Sequence, residues 1–328
     1  MIPSTIDVRA MATAEDLRAA FRLLLVREPD PEGLEHFGQL IGHGLPVAEL
    51  VDKFLGSEEF RGLRKTRLAL VDLGGYLVCV DPEDTDIGRE VVATGDYEPH
   101  VRAAVAELFH PGETFVDIGA NVGCLSLLAA KIAGPRGRVI SIEPNPTNLQ
   151  RIYAAIVLNR FENVRVLPYA ASDRRATFSL GGGTSNTHLI DPTGFDVEAR
   201  YAQSIVPDEE LAGLDAIHLI KMDIEGHEPL ALRGFTRLIR RHDPTLIVEF
   251  SPHCLLDSTD TDPKAFLDQL FGLFKTLKVI PADGVGEAPS FSEAIALMDF
   301  WARRDRETTE SGVLAAGMLH LDLIATNR

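Results

Sequence analysis

The stretch TFVDIGANVGCLSLLAA, Thr114 to Ala130, decides the fold. An apolar run carries Asp117 near its end, a turn with Gly119 and Gly123 follows, and apolar residues then return at helical spacing. The run reads as a buried strand and the return as a helix from Val122 to about Ala133. A tight strand-to-helix turn alone would use glycines here. A ligand site would use them too, because the amides of a helix start point at whatever lies over the strand's carboxyl end.

Outward from this stretch the pattern alternates. GRVISIEP reads as the next strand, and Leu149, Ile152, Tyr153 and Ile156 then share one helix face. VRVLPYAAS, IHLIKMDIE and TLIVEFS read as further strands, with one helix over PLALRGFTRLIRRH. KTLKVIPAD and GMLHLDLIA read as two more, around a helix-like piece, and Leu70 to Val80 as a strand or hairpin. Strands alternating with helices predict an α/β chain whose parallel sheet is covered on both faces. The first sixty-odd residues instead carry three helical stripes: Leu17, Phe21, Leu24; Leu34, Phe37, Ile41; and Leu50, Val51, Phe54, Leu55. Asp30 is placed as an N-cap and Pro31 at the first helical position. We expect a small helical bundle over 1–66, joined through RKTRLA to an α/β domain over 67–328.

Composition narrows the function. With 45% hydrophobic and 25% charged residues, the 328-residue chain is globular. A net charge of -17 argues against a partner bound through phosphates and against an anionic membrane surface. No apolar run reaches membrane-span length, and the N-terminus lacks a secretory pattern. Cys79, Cys124 and Cys254 are isolated, giving no metal spacing. These features predict a cytoplasmic protein with no nucleic-acid partner.

A second element turns the glycine stretch towards a ligand. Glu143 closes the next strand, where a carboxylate can accept both hydroxyls of a ribose. A dinucleotide site wants G-x-G-x-x-G for the pyrophosphate, whereas the turn here is G-A-N-V-G. Asp117, two residues before the first glycine, could hold an ammonium. A ribose with an ammonium and no pyrophosphate is S-adenosylmethionine (SAM), which favours a methyl donor over NAD.

FVDIGANVG with IEPNP, IKMDIEGHE and LIVEFSP resembles the FkbM-type methyltransferases of the class I SAM-dependent superfamily, from about Tyr97 onward. The resemblance implies a Rossmann-like, seven-stranded sheet whose last strand is antiparallel, and methyl transfer, usually to a hydroxyl. It implies that Asp117, Gly119, Asn121 and Gly123 carry the methionine end of SAM. Glu143, with Pro144 and Asn145 behind it, would hold the ribose, and Ala171 and Ser172 would flank the adenine. Glu98 lies in TGDYEPHVRAAV, which matches the family's entry segment. The helical segment before it, through LLLVREPDPEGLEHF and FLGSEEF, resembles the DUF4214 type of short domain.

A second cluster follows the fourth strand of the alternation. LIKMDIEGHEPLALRGF places Lys221, Asp223, Glu225, His227 and Glu228 at and beyond its end. Either Lys221 merely pairs with Asp223 and Glu228 starts a helix, or Asp223 or Glu225 takes the proton of an acceptor hydroxyl. Glu249, at the next strand end, and His253, read as a loop residue, are the further candidates. Asp223 also lies close enough to the donor cleft to touch the cofactor. Asp223 and Glu249 could hold a divalent ion, but the resemblance demands none and no metal is expected. His188 reads as an exposed residue of a mobile loop.

The reading is therefore SAM-dependent O-methylation of a sugar, glycan or related small-molecule hydroxyl. The N-terminal helices would serve self-association or a partner. An NAD oxidoreductase or epimerase is disfavoured by the missing third glycine. A silent SAM-fold binding module is disfavoured by intact Asp117, Gly119, Glu143 and Asp223.

Overall fold

The computed structural model describes residues 10–25, 27–59, 62, 68–183, 185–192, 194, 196, 199–281 and 288–327. The chain divides into two compact units, Met1–Leu68 and Ala69–Arg328.

In the first unit α1 (Ala14–Leu24) begins at a capping box. Thr13 Oγ1 accepts the Asp16 amide and Asp16 Oδ2 accepts the Thr13 amide, at 3.2 and 2.8 Å. Asp30 caps α2 (Pro31–Gly42) by accepting the Gly33 amide at 2.6 Å, as its place before Pro31 predicts. With α3 (Val47–Leu55), these helices bury Leu17, Phe21, Leu50 and Phe54. Phe21 and Phe54 meet edge to face with centroids 4.9 Å apart. The expected stripes are narrower in fact: Leu34 and Leu55 are exposed, because α2 and α3 each offer the small core one edge rather than a full face.

The second unit opens with an antiparallel hairpin, β1 (Ala69–Asp72) and β2 (Leu77–Val80), then α4 (Gly88–Thr94) and α5 (Pro99–Leu108). The alternation follows: β3 (Thr114–Ile118), α6 (Cys124–Ala133), β4 (Arg138–Ile142), α7 (Pro146–Asn159) and β5 (Val164–Leu167). Helix α6 starts two residues later than the pattern suggests, since Gly123 at φ 92° caps it. The expected strand VRVLPYAAS splits at Pro168, which has no N–H for a ladder. Its second half, β6 (Ala170–Ala171), joins a small sheet with β7 (Thr177–Gly181), β8 (His188–Ile190) and β9 (Arg200–Ile205), ordered β6-β9-β7-β8. His188 therefore begins a strand instead of sitting in a loop.

After the short α8 (Pro207–Glu210) come β10 (Leu219–Met222), α9 (Glu228–Gly234), α10 (Thr236–His242) and β11 (Thr245–Phe250). The single helix expected at Pro229–His242 is broken at the buried Phe235. Gly234 lies so close to the Ser172 carbonyl that a Cβ would stand 2.2 Å from it, which pins the chain where it turns. The remainder is α11 (Pro252–Thr259), α12 (Pro263–Phe271), β12 (Thr276–Val279), β13 (Ser290–Phe291), α13 (Ala294–Glu310) and β14 (Leu321–Thr326).

The main sheet has the order β13-β12-β14-β11-β10-β3-β4-β5. Strands β5, β4, β3, β10 and β11 are parallel, and β14 runs antiparallel between β11 and β12. It is the Rossmann-like α/β class with the expected antiparallel last strand. It carries eight strands rather than seven because β13 adds a two-residue edge pairing. Apolar residues at zero exposure fill both faces, as continuous apolar strands require: Val116 and Ile220 on one, Phe115 and Leu219 on the other. Among the described residues no helix is long and apolar enough to cross a membrane.

The helical unit's core shares no residue with the cores of the sheet unit. We therefore expect a chain lacking the residues before Ala69 to keep a cooperative thermal transition and to bind the same ligand. Calorimetric melting checks this, and a non-cooperative melt would show that the helices complete the larger fold.

Candidate functional site

From β3 the chain steps outward to β4 and β5, then returns to the other side of β3 to lay down β10 and β11. The carboxyl ends of β3 and β10 thus flank the switch point, where α/β sheets open a crevice. A cleft of about 470 Å³ lies there. Its walls come from loops after β3, β4, β5, β10 and β11 and from the segment Tyr97–His100.

The turn after β3 is held by glycine and by one carboxylate. Gly119 has φ 82°, and a Cβ on it would stand 1.9 Å from the Asp223 carbonyl oxygen. Asn121 takes φ 49° and donates its amide to Glu143 Oε2 at 2.8 Å. Glu143 Oε1 accepts the Asn145 amide at 2.8 Å and, more weakly, Asn148 Nδ2 at 3.4 Å. One buried carboxylate therefore ties the β3 and β4 loops together. Burial pushes Glu143 up to about 7 against the pull of these donors. Beneath the turn, Asp117 Oδ2 accepts the Ser126 hydroxyl at 2.6 Å, and Ser126 Oγ in turn accepts Ser141 at 2.7 Å. Asp117 Oδ1 and Asn121 Oδ1 are buried without a hydrogen-bond partner.

The charged centre is Lys221, buried on β10. Its Nζ lies 3.0 Å from Asp223 Oδ2. Burial alone would lower its pKa, but Asp223, Glu98 and Asp117 outweigh that and raise it, so the ammonium persists. Glu98 sits at φ 41° before α5, and burial raises it to about 7, with Lys221 opposing. Glu225 reaches the cleft through a left-handed turn at φ 56°, not by strand alternation, since β10 ends at Met222. Burial raises its carboxyl, and Cys254 Sγ lies 3.6 Å from Oε2. Glu249, inside β11, is raised well above the carboxylate range by burial and by Asp223 and its acidic neighbours. Its Oε2 is enclosed with no hydrogen-bond partner. Glu228 begins α9, accepts the Ile224 amide at 2.7 Å, and is pushed by burial to about 8. Oxygens of Asp223, Glu228 and Glu249 all lie within 4.8 Å of one another, a spacing that a hard cation could bridge.

The cleft brings together Glu98, Gly119, Asn121, Glu143, Pro144 and Ala171 with Asp223, Glu225, Glu249 and His253. Asp117 lies in a small void beside it that Tyr97, Gly119 and Lys221 also line. Gly123, Asn145 and Ser172 line neither main wall; Gly123 caps α6 and Asn145 caps α7. Ser172 faces inward to His227, with Oγ 3.1 Å from Nε2, on an imidazole that burial holds near 4 and hence neutral. His253 stands exposed in the first turn of α11, where Pro252 opens the helix, not in a loop. The sequence did not single out His100, whose Nε2 lies 2.7 Å from Asp322 Oδ2 at the cleft's edge. Two hundred and twenty-two residues separate that pair, so spacing offered no signal. The arrangement fits SAM: unpartnered acceptors at Asp117 and Asn121 suit an ammonium, and Glu143 lies one strand over.

Residues 117–262 match the family described as the methyltransferase FkbM domain. No curated protein matches the chain. Among solved structures it is similar to the FkbM methyltransferase of Methylobacillus flagellatus KT, at 20% identity and TM-score 0.36, over 80% of this chain and 71% of that one. Another is M. jannaschii TYW2 in complex with AdoMet, at 13% identity and TM-score 0.41, over 79% and 84%. A third is Aeropyrum pernix fibrillarin with natively bound S-adenosyl-L-methionine, at 12% identity and TM-score 0.35, over 55% and 66%.

Two predictions follow from the geometry. Gly119→Ala forces a Cβ into the Asp223 carbonyl at a positive φ, so it should cost about 1–3 kcal/mol of stability and weaken ligand binding in the cleft. Thermal melting and calorimetry read both, and a variant matching the parent in each would place the turn elsewhere. Glu228 holds its proton to about 8 when folded, against an ordinary 4.5. The folded state binds more protons between these values, so its neutral form contributes stability that is full below about 4.5 and lost as pH rises through about 8. Glu228→Gln should flatten that fall by up to about 1.4 kcal/mol per pH unit. Parallel stability curves for parent and variant would show that Glu228 is ionised throughout.

Proposed function

We propose that this chain, which carries an FkbM methyltransferase domain over residues 117–262, transfers a methyl group from SAM to a hydroxyl of a sugar, glycan or related acceptor. The observation that carries the reading is one cleft, at the switch point, lined both by Gly119, Asn121 and Glu143 and by Asp223, Glu225 and Glu249. The first set suits a ribose and an amino acid end; the second suits a reacting hydroxyl. When bound, SAM supplies an electrophilic methyl carbon on a sulfonium.

Asp117 and Asn121 would hold the donor's ammonium through their unpartnered oxygens, and Glu143 would take the ribose hydroxyls. Tyr169, Ala170 and Ala171 line the wall for the adenine. With SAM bound, the acceptor oxygen would take its methyl carbon, and the sulfur would keep the electron pair of the broken carbon–sulfur bond. The hydroxyl's proton goes to Asp223. That carboxylate is ion-paired with Lys221 and fixed directly after β10, whereas burial raises the carboxyls of Glu249 and Glu225. Positioning of the hydroxyl supplies much of the rate, and the base adds about a hundred- to ten-thousand-fold. His253, exposed and lining the cleft, would meet the acceptor. The oxygens of Asp223, Glu228 and Glu249 favour one second reading, in which a divalent ion holds the acceptor hydroxyl. The N-terminal helices would serve self-association or a partner.

Calorimetry should show SAM and S-adenosylhomocysteine binding and NAD failing to bind. Glu143→Ala should weaken both ligands by about 1–3 kcal/mol, and unchanged affinity would sink the ribose assignment. Asp223→Asn should keep donor affinity while turnover falls at least about a hundredfold. If EDTA abolishes turnover and a divalent ion restores it, Asp223 is a ligand and not the base. Normal turnover in the variant would leave only the structural pair with Lys221.

A further inference from the structure

We propose that the acceptor enters this cleft as an uncharged hydroxyl-bearing sugar on an assembled glycan, and that sugar phosphates and nucleoside diphosphate sugars are turned away. Methylation would then follow the glycosyl transfer that supplies the acceptor, rather than act on the activated sugar. The inference rests on the hydroxyl-acceptor reading above.

Charge is the first ground. The described residues that line the cleft include seven acids: Glu98, Asp223, Glu225 and Glu249, with Asp86, Glu90 and Glu143. Against them stands one lysine and no arginine. Lys221 is committed to Asp223, and His100 to Asp322. His253 and His320 are the other basic groups there, and neither offers the planar fork with which arginine grips a phosphate.

The second ground is backbone. A phosphate on an α/β fold usually sits on free amides at a helix start. Two amides beside the cleft are filled from within: Glu143 occupies the Asn121 amide before α6, and Glu228 occupies the Ile224 amide before α9. Helix α11 opens with Pro252, which has no N–H to give. At the first two turns the protein's own carboxylates stand where phosphate oxygens would dock.

The test uses the full-length protein saturated with S-adenosylhomocysteine. Titrated with uridine diphosphate glucose, and separately with inorganic pyrophosphate, it should give no saturable heat through the millimolar range. A micromolar Kd for either overturns the proposal. Asp86→Asn together with Glu90→Gln, two exposed acids of the lining, should raise pyrophosphate affinity about tenfold or more, with S-adenosylhomocysteine affinity retained as the check on folding. Unchanged rejection after that neutralisation would overturn the electrostatic cause. With labelled SAM, methyl hexosides and neutral oligosaccharides should accept label at least about thirtyfold faster than matched hexose phosphates and uridine diphosphate hexoses. Faster labelling of the phosphorylated members would sink the inference while leaving the hydroxyl reading intact. Label moving only to amines or thiols would sink the hydroxyl reading, and the pyrophosphate titrations would still decide the charge question.

Discussion

One buried ammonium organises the site. Lys221 lies on β10 opposite Asp117 of β3 in the parallel register, and its Nζ pairs with Asp223. Three carboxylates, Asp223, Glu98 and Asp117, depend on it, and they come from three separate elements. A lone buried charge costs several kcal/mol, and so does each carboxylate left behind if the cation is removed. Only Asp223 meets it directly, and Glu98 and Asp117 are stabilised by its charge at longer range. It joins the donor loop after β3, the entry segment before α5 and the acid after β10 into one electrostatic unit.

Backbone contact supplies what the charge does not. Gly119 lets the β3 turn press against the carbonyl of Asp223, so the donor turn and the proposed base share one boundary. Gly226, at φ 90°, does the same one strand over, where a Cβ would stand 2.0 Å from the Cys254 carbonyl. Successive strand-end loops are thus stacked at distances only glycine permits. Side chains on such loops hold their places because the main chain beneath them has no room to shift.

The strand-end acids were legible in the sequence because each follows a short apolar run: Asp117, Glu143, Asp223 and Glu249 lie where alternation puts them. The antiparallel last strand was expected only through the resemblance carried by the motifs, and the strand order itself came from the structure. What escaped was set by tertiary contact. Pro168 and the short strands from Thr177 to Ile205 pass for loop, yet β6 finds β9 more than thirty positions later in the chain. The Phe235 break depends on Gly234 meeting Ser172, which no local pattern announces. Ser172 matches an adenine-side motif by position but turns to His227, since its place in the chain does not specify which face it shows.

The acids of the cleft are held more by burial than by pairing. Glu98 and Glu143 are raised to about 7 and Glu228 to about 8, so near neutrality this region stores protons. Storing them keeps like charges close without the repulsion that full ionisation would bring. A cationic ligand changes that balance, because each carboxyl that meets positive charge gains by giving up its proton. A sulfonium donor is such a ligand, and a phosphate is its opposite. The internal carboxylates that cap the Asn121 and Ile224 amides push in the same direction, since they spend the fold's anion-binding positions on the protein itself. An overall charge of -17 extends the same sign over the whole chain. On the proposed reading, donor selection and acceptor selection would share one cause, a crevice whose field favours positive and neutral groups.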